Sequence, residues 1–516
     1  MKALSLIILL LQSWICSSQT VDAKRDYQWI FGYPFYANGV ILDFNASPST
    51  YKAFPKKLVR DMSIANANIC DVDGNIQLFT NGCDINNRDF ELVQNGDSIN
   101  KSNIFNEICD RAGIPFVQIT LILPKKEQQY YVFYKNAEDL KDVNGGLFTS
   151  TNKLLYSIVD FKSDPKGVVL QKDKLLSPDT MIHGELSACR HANGVDWWLV
   201  DWLWNGSKDS TYRSFLVKPD TILGPFKAQI GRSMTRNSAQ DQAVFSPDGT
   251  RYARIRYRDG VHLFDFDRSE GKFSNYKFLP LNNSKVLFTG VNFSPNSKLL
   301  YATIAEHILQ YDLEAPNIAA TRDTVAVYDG FTDFFQTKFC YIYLGPDCKL
   351  YVGPQNTVRY LSVINFPNRR GKDCDVAQHA IKLPTIVDLT LPNYPNFRLG
   401  AVGDNFAPCD STINPVITGL NDDLLSEEGR KIGVAVYPNP VGDQISVDLF
   451  GYVGDFAEGF WRLVDLSGRS MLQYPIFPNH SEYVYDITAI PNGMYVWQLW
   501  LDGKAMRAGK LVVQKE

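Results

Sequence analysis

The chain has no excess of either charge: 52 Lys and Arg stand against 56 Asp and Glu in 516 residues, a net charge of −4. That balance removes the bulk electrostatic case for nucleic acid or an anionic membrane as partner. After the first residues no apolar run approaches the ~20 needed to cross a bilayer, so no transmembrane segment is expected. No C-x-x-C pair and no interleaved histidines point to zinc, and none of the six histidines falls in HExxH. A GxSxG elbow and a phosphate-binding glycine loop are also missing, so the common hydrolase and nucleotide signatures are absent. No cofactor or metal is expected, although distant residues can converge in a fold without leaving a motif.

What is present is apolar and aromatic: 45% hydrophobic residues and 13% aromatics, with 26 Tyr and 31 Phe. These values exclude disorder, collagen and coiled coil, and the aromatics favour strands. The N-terminus MKALSLIILLLQSWICSSQT places a Lys before a short apolar stretch and then Ser17, Ser18 and Gln19, which reads as a secretory signal peptide over 1–19. Trp14 and Ile15 are too bulky for a lipoprotein box at Cys16. Eight other cysteines remain, an even count that favours disulfides in an exported chain but leaves the pairing open. Cys340, Cys348, Cys374 and Cys409 cluster late and are candidates to pair among themselves.

From Tyr27 to about Leu399 one pattern recurs: apolar strand, tight turn, alternating strand, second turn, strand ending in acids. The clearest copies begin at Ala243, Val291 and Tyr343, with equivalent turn residues Asp248, Asn296 and Asp347 spaced by 48 and 51 positions. That period matches one four-stranded propeller blade. Weaker turns lie around Asp73, Lys126 and Asn193. The stretch from Trp29 reads as later strands of a blade lacking its first strand, and Leu391–Leu399 offers an unpaired strand to complete it. About seven blades are expected over 20–410, with six or eight as alternatives, closed by strands from both ends, which leaves no free sheet edge. In DWWLVDWLW, Trp198, Val200, Trp202 and Trp204 fall on one face and Trp197, Leu199, Asp201 and Leu203 on the other, as in a strand packed between neighbouring blades. The acidic turns at Asp71 and Asp265 read as hairpins rather than calcium loops. Arg190 and His191, just before this strand, are the candidate ligand cluster.

The segments FGYPFYANGVILDF, CRHANGVDWWLV, FSPDGTRYARIRYRDGVHLFDFD, FSPNSKLLYATI, LGPDCKLYVG, SVINFPNRRGKDC and LPNYPNF resemble exported WD40-like propeller proteins of gliding-type Gram-negative bacteria. The resemblance departs at Cys348, where the turn usually carries Gly; unusual turn geometry or a disulfide is expected there. Six Asp-Ser/Thr triplets, at Asp97, Asp179, Asp209, Asp220, Asp323 and Asp410, resemble the O-glycosylation sequon of such bacteria.

A polar linker over 411–432 precedes a second all-β unit, 433–516, whose seven alternating segments predict a small Ig-like β-sandwich. Its motifs YPNPVGDQISVDL, LVDLSGRSM, IPNGMYVWQL and GKLVVQK resemble the type A C-terminal sorting domain of the type IX secretion system. The resemblance singles out Tyr437, Pro438, Asn439, Pro440, Gly468, Gly493, Tyr495 and Lys510. It implies the secretion translocon and a sortase-like peptidase as partners, and export through the periplasm to the outer surface or the medium. Pro438 and Pro440 stiffen the entry and Gly468 and Gly493 allow tight turns. The function expected is a non-catalytic binding or adhesion scaffold for a protein or glycan. The alternatives are an exported hydrolase or lyase with its site in the propeller channel, and a component of a surface-motility or envelope complex.

Overall fold

The computed structural model describes residues 22–515 apart from 33–38, 46–49, 55–61, 63, 110–111, 142–146, 205–209, 233–241, 257–258, 282–287, 405–406, 411–412, 414–431, 452–455, 466–468 and 479. The chain divides into two compact units: the chain up to Asn45 joins Tyr51–Ser411 in one, and Thr412–Glu516 lies in the other.

Among the described residues the first unit contains seven sequential antiparallel sheets and one short hairpin. Blade 1 holds β1 (Gln28–Phe31), β2 (Val40–Asp43) and β3 (Thr50–Ala53). Blade 2 holds β4 (Ala67–Cys70), β5 (Ile76–Thr80) and β6 (Ile85–Asn87), followed by helix α1 (Asn103–Ile108). Blade 3 is built from β7 (Thr120–Pro124), β8 (Gln129–Lys135), β11 (Leu154–Asp160) and β12 (Val168–Ser177), with the hairpin β9 (Glu138–Lys141) and β10 (Leu147–Ser150) inserted after β8. Blade 4 comprises β13 (Ser187–Arg190), β14 (Trp197–Trp202), β15 (Thr211–Val217) and β16 (Ile222–Gln229); blade 5, β17 (Ala243–Phe245), β18 (Arg251–Arg256), β19 (Gly260–Asp267) and β20 (Lys272–Pro280). Blade 6 comprises β21 (Val291–Phe293), β22 (Leu299–Ile304), β23 (His307–Asp312) and β24 (Asp323–Val327); blade 7, β25 (Phe339–Leu344), β26 (Leu350–Pro354), β27 (Val358–Ile364) and β28 (Val376–Val387).

First strands touch first strands around the ring: β4 meets β7, β13 meets β17, β17 meets β21 and β21 meets β25. The Leu186 amide donates to the Gln118 carbonyl at 3.0 Å between blades 3 and 4. Blade 7 returns to blade 1 through β28 against β2, with Tyr351 edge-on to Trp29 and Phe44 at 5.3 and 5.6 Å. The fold is a seven-bladed β-propeller. Burial follows radius: β13 and β14 are fully buried, whereas β16 is exposed along nearly its whole length. The tryptophan strand β14 serves two neighbours at once. Trp197 and Leu199 enter the core shared with blade 3, while Trp198, Val200 and Trp202 pack with Tyr252, Phe264 and Phe273 of blade 5. Alternation along a strand sends successive side chains to opposite faces, so one apolar strand fills two inter-blade layers.

All six expected turns join the first two strands of blades 2–7, and their chemistry is local. Asp248 Oδ1 accepts from the Ser246 hydroxyl and the Thr250 amide, and Asn296 Oδ1 accepts likewise from Ser294 and Lys298. The next residue is left-handed in each: Gly249 at φ +71°, Ser297 at +59° and Cys348 at +66°. The turn at Cys348 therefore keeps the geometry of its glycine-bearing equivalent, against the expectation that it would be distorted, and Cys348 bonds to Cys409. Asp71 Oδ1 accepts from the Asp73 and Asn75 amides, closing a hairpin turn.

The second disulfide joins Cys83 to Cys109 beside α1. The wider expectation for the cysteines is corrected here: Cys70, Cys189, Cys340 and Cys374 are unpaired and buried. Burial pushes the thiols of Cys189 and Cys374 up to about 12 and about 11, so they behave as small apolar side chains.

Blade 1 lacks its first strand as expected, but the segment expected to complete it as a strand departs from expectation. β1 runs antiparallel to β4, since Ile30 meets Asn68 and Gln28 meets Cys70, so it has the direction of a second strand and the first position is open. Residues 391–398 lie beside it, with the Tyr394 hydroxyl on the Gln28 carbonyl and Arg398 on Asp26, and do not join the ladder. Pro392 and Pro395 carry no amide hydrogen, and two missing donors in four residues preclude regular pairing.

In the second unit β29 (Ile432–Tyr437), β30 (Gln444–Gly451) and β33 (Glu482–Asp486) form one sheet. The other contains β31 (Gly459–Val464), β32 (Ser470–Pro475), β34 (Gly493–Leu501) and β35 (Lys504–Val513). The seven strands enclose Ile445, Val447, Trp461, Leu463, Leu499 and Leu511, a small sandwich core.

Candidate functional site

The propeller axis is occupied by the chain itself. Residues 391–398 thread it from the end where first strands begin to the end carrying the first turns. The Asn393 amide group donates to the carbonyls of Thr120 and Leu186 at 2.9 and 3.0 Å and accepts from Gln118 at 3.1 Å. The Tyr394 hydroxyl lies 2.6 Å from Asn68 Oδ1, Asn396 donates to the Pro247 carbonyl, and Arg398 forks onto Asp26 at 2.5 and 2.9 Å. Further along, Cys409 is tied to Cys348 and the Asp410 amide bonds the Pro346 carbonyl.

Buried amides complete the lining by joining first strands of separate blades. Gln118 bonds both the amide and the carbonyl of Ala243, and Gln242 accepts from Val291 and donates to the Ile342 carbonyl. About 80 Å³ of free space remains along this strap. Among the described residues its one carboxylate is Asp26, already held by Arg398.

The larger cavity, about 310 Å³, lies between blades 3 and 4 at the end bearing the first turns. Four separate segments wall it: residues 22–25, the β7–β8 turn, the β13–β14 turn and the end of β15. Arg25, Lys125, Lys126, Arg190 and Lys218 face Asp22 and Glu127, an excess of three positive charges in a chain whose net charge is −4. Both acids are already paired, Asp22 with Arg25 and Arg190, and Glu127 with Lys162; Asp220, at the rim, pairs with Lys126. Arg190 is 4% exposed, its guanidinium 4.1 Å from the Trp197 ring, with Nη2 donating to Asp22 and to the Phe397 carbonyl. The floor aromatics Trp197 and Tyr130 are 2% exposed and act as packing.

The candidate pair Arg190 and His191 separates here. Arg190 enters the cleft; His191 turns away, against Trp198 at 5.7 Å. Its Nδ1 accepts the Asn193 amide, which leaves the Nε2 hydrogen for the Ser269 carbonyl at 3.2 Å. Consecutive residues at a strand end point to opposite faces, and that alternation divides them. The basic residues contributed by other segments were not legible as partners of Arg190, because nothing in the sequence links positions as distant as 25, 125 and 218.

A second charged group is structural. Lys135 is 0% exposed and donates to the carbonyls of Ile182 and Gly184; burial drives its pKa down to about 8, with Asp201 opposing. Nearby, Glu185 lies between Arg254 and Arg256. Among the described residues no three His, Cys, Asp or Glu side chains converge as a metal-binding group.

In the second unit the Tyr437 hydroxyl donates to Asp448 at 2.7 Å, and Asn439 Oδ1 caps the Val512 amide at 2.8 Å, so the YPNP entry is fastened to β30 and the last strand. Pro438 and Pro440 are exposed, and both follow cis peptide bonds. Gly493 opens β34 in nearly extended backbone rather than forming the turn, and Tyr495 is buried with its hydroxyl on the Pro491 carbonyl. Lys510 lies within β35, and Gly468 falls outside the described residues.

These features define a class: a β-propeller followed by a small β-sandwich with a fastened N-terminal motif. Residues 435–514 match the family of secretion system C-terminal sorting domains. The chain is an exported propeller protein carrying a type IX sorting tail, directed to the cell surface or secreted. No curated protein matches the chain. Similar solved structures include a Bacteroides fragilis protein assigned as a 6-phosphogluconolactonase, at 13% identity over 72% of this chain and 99% of that one, TM-score 0.42. A periplasmic gluconolactonase of Pseudomonas aeruginosa is 12% identical over 74% and 96%, TM-score 0.29. A β-propeller domain from Myceliophteria thermophila is 11% identical over 71% and 93%, TM-score 0.27. All three scores are below 0.5, so the propeller assignment rests on the strand topology. Among the described residues no helix is long and apolar enough to cross a membrane.

Proposed function

We propose that this protein is a non-catalytic binding scaffold, anchored at the outer surface or released, whose propeller presents a ligand site on the end bearing the first turns. In this reading residues 1–19 are removed on export, 433–516 are read by the translocon, and the linker 411–432 is the substrate of a sortase-like peptidase. The observation that carries it is the strap: residues 391–398 fill the axis where a channel enzyme would place its substrate, while a larger cavity than the one left along the strap opens between two blades. The hydrolase or lyase reading has less support, because the one acid along the strap among the described residues is engaged by Arg398.

The test compares cells producing the full chain with cells producing one that lacks Val434–Glu516. The full chain is expected at the surface or in the medium and the truncated one in the periplasm; equal surface delivery would reject the sorting role. Purified full chain is further expected to bind isolated envelope material without turning over a panel of glycan and peptide substrates. Turnover that survives repeated purification would replace the scaffold by an enzyme.

A further inference from the structure

Resting on that scaffold reading, we infer that the cleft between blades 3 and 4 is a site for a sugar-sized organic anion, whose carboxylate or phosphate group is held by Arg190 and Lys218. Three observations converge. The cavity volume, about 310 Å³, is at the lower bound of small-molecule sites. Its lining carries five cations against Asp22 and Glu127, and the rim acid Asp220, paired with Lys126, reduces the surplus to two. The decisive group is Arg190: it is 4% exposed, yet its Nε has no hydrogen-bond partner among the described residues. That atom is shielded from solvent, so an oxyanion in the cleft would meet the second hydrogen of Nη1, the one not given to the Gly194 carbonyl, in a charge-assisted bond.

The guanidinium is also preorganised. Asp22, the Gly194 and Phe397 carbonyls and the Trp197 face fix its plane, so little side-chain freedom is lost on binding. Burial lowers the Arg190 pKa, with Asp22 opposing, as expected for an incompletely compensated cation. Lys218 also lines the cleft, is half-buried and has no ion-pair partner among the described residues, so it can add a second point charge. The strap contributes as well, since the Arg190 contact to Phe397 makes the cleft depend on the threaded axis.

The experiment is calorimetric titration of the purified full chain at low salt with glucuronate, glucose 6-phosphate and glucose. At least one anion is expected to bind with a millimolar or tighter constant, and glucose is expected not to bind. Lys218→Gln, a change at a half-exposed position, should weaken the anion by roughly 3- to 10-fold, and 0.5 M salt should weaken it further. Arg190→Lys, which keeps the charge but not the fork, should cost more than ~10-fold. Binding of glucuronate alone assigns a carboxylate ligand and binding of glucose 6-phosphate alone a phosphate; either supports the site. Equal binding of glucose, anion binding indifferent to Lys218→Gln, or no binding of any probe would overturn it. Those failures leave the scaffold reading intact if surface delivery and envelope binding persist, and a failure of delivery leaves the cleft result standing.

Discussion

Replacing Asn393 by alanine is expected to lower the stability of the propeller by about 3–5 kcal/mol, among the larger effects available to a single side chain. Asn393 is 6% exposed and its side chain satisfies three groups on two blades: the Thr120 and Leu186 carbonyls and one Gln118 hydrogen. Alanine leaves two buried carbonyls facing a void, each costing about 1–3 kcal/mol, and releases the strap at the middle of the axis. Asn393→Asp separates hydrogen bonding from packing, since it keeps the volume but sets an acceptor against two acceptors. It is expected to be at least as damaging. Denaturant unfolding of the purified full chain, monitored by tryptophan fluorescence, measures both. Native-like stability in Asn393→Asp would show that the strap is held by packing alone.

Glu185→Gln is expected to be of similar size. Glu185 is 0% exposed, with Arg254 at 2.5 Å and Arg256 at 3.0 Å, and Arg254 lies 4.1 Å from the Trp202 ring. The substitution leaves two buried guanidinium groups facing a neutral amide, and breaking a buried pair from one side costs about 3–5 kcal/mol. Burial alone would raise the Glu185 pKa, but Arg254 and Arg256 outweigh it and hold the carboxyl below its ordinary value. A depressed carboxylate pKa means the stabilisation is fully present above the unfolded-state value near ~4.3 and is lost as pH falls through the folded value. Wild-type stability should therefore fall on acidification below about pH 4.5, and the Glu185→Gln chain should lack that part of the slope. Parallel pH profiles for the two proteins would exclude Glu185 as a source of acid sensitivity.

The parts of this structure legible in the sequence are those decided within a few residues. Asp248, Asn296 and Asp347 mark turns because a carboxylate or amide three residues before the strand satisfies turn amides, whatever surrounds it. The tryptophan strand was legible for a similar reason: period-2 alternation with both faces apolar has few solutions other than burial between two sheets. Blade spacing was less regular upstream because α1 and the β9–β10 hairpin lengthen the connections around blades 2 and 3. The last segment was expected as a strand completing blade 1; it reaches that blade through Tyr394 and Arg398 without joining its ladder, as Pro392 and Pro395 require. The cysteines were over-read, since an even count in an exported chain says nothing of which thiols come within bonding distance.

The amino-acid sequence by itself determined the array of four-stranded units, the order of the two domains and the sorting motifs, because all three are written in local turn chemistry and strand periodicity. Only the tertiary structure decided what fills the axis, that Cys348 meets Cys409, and that Arg190 without His191 joins basic residues from three other segments in one cleft. Those outcomes depend on which of many distant positions a closed ring brings within a few ångströms, and closure is a property of all seven blades together.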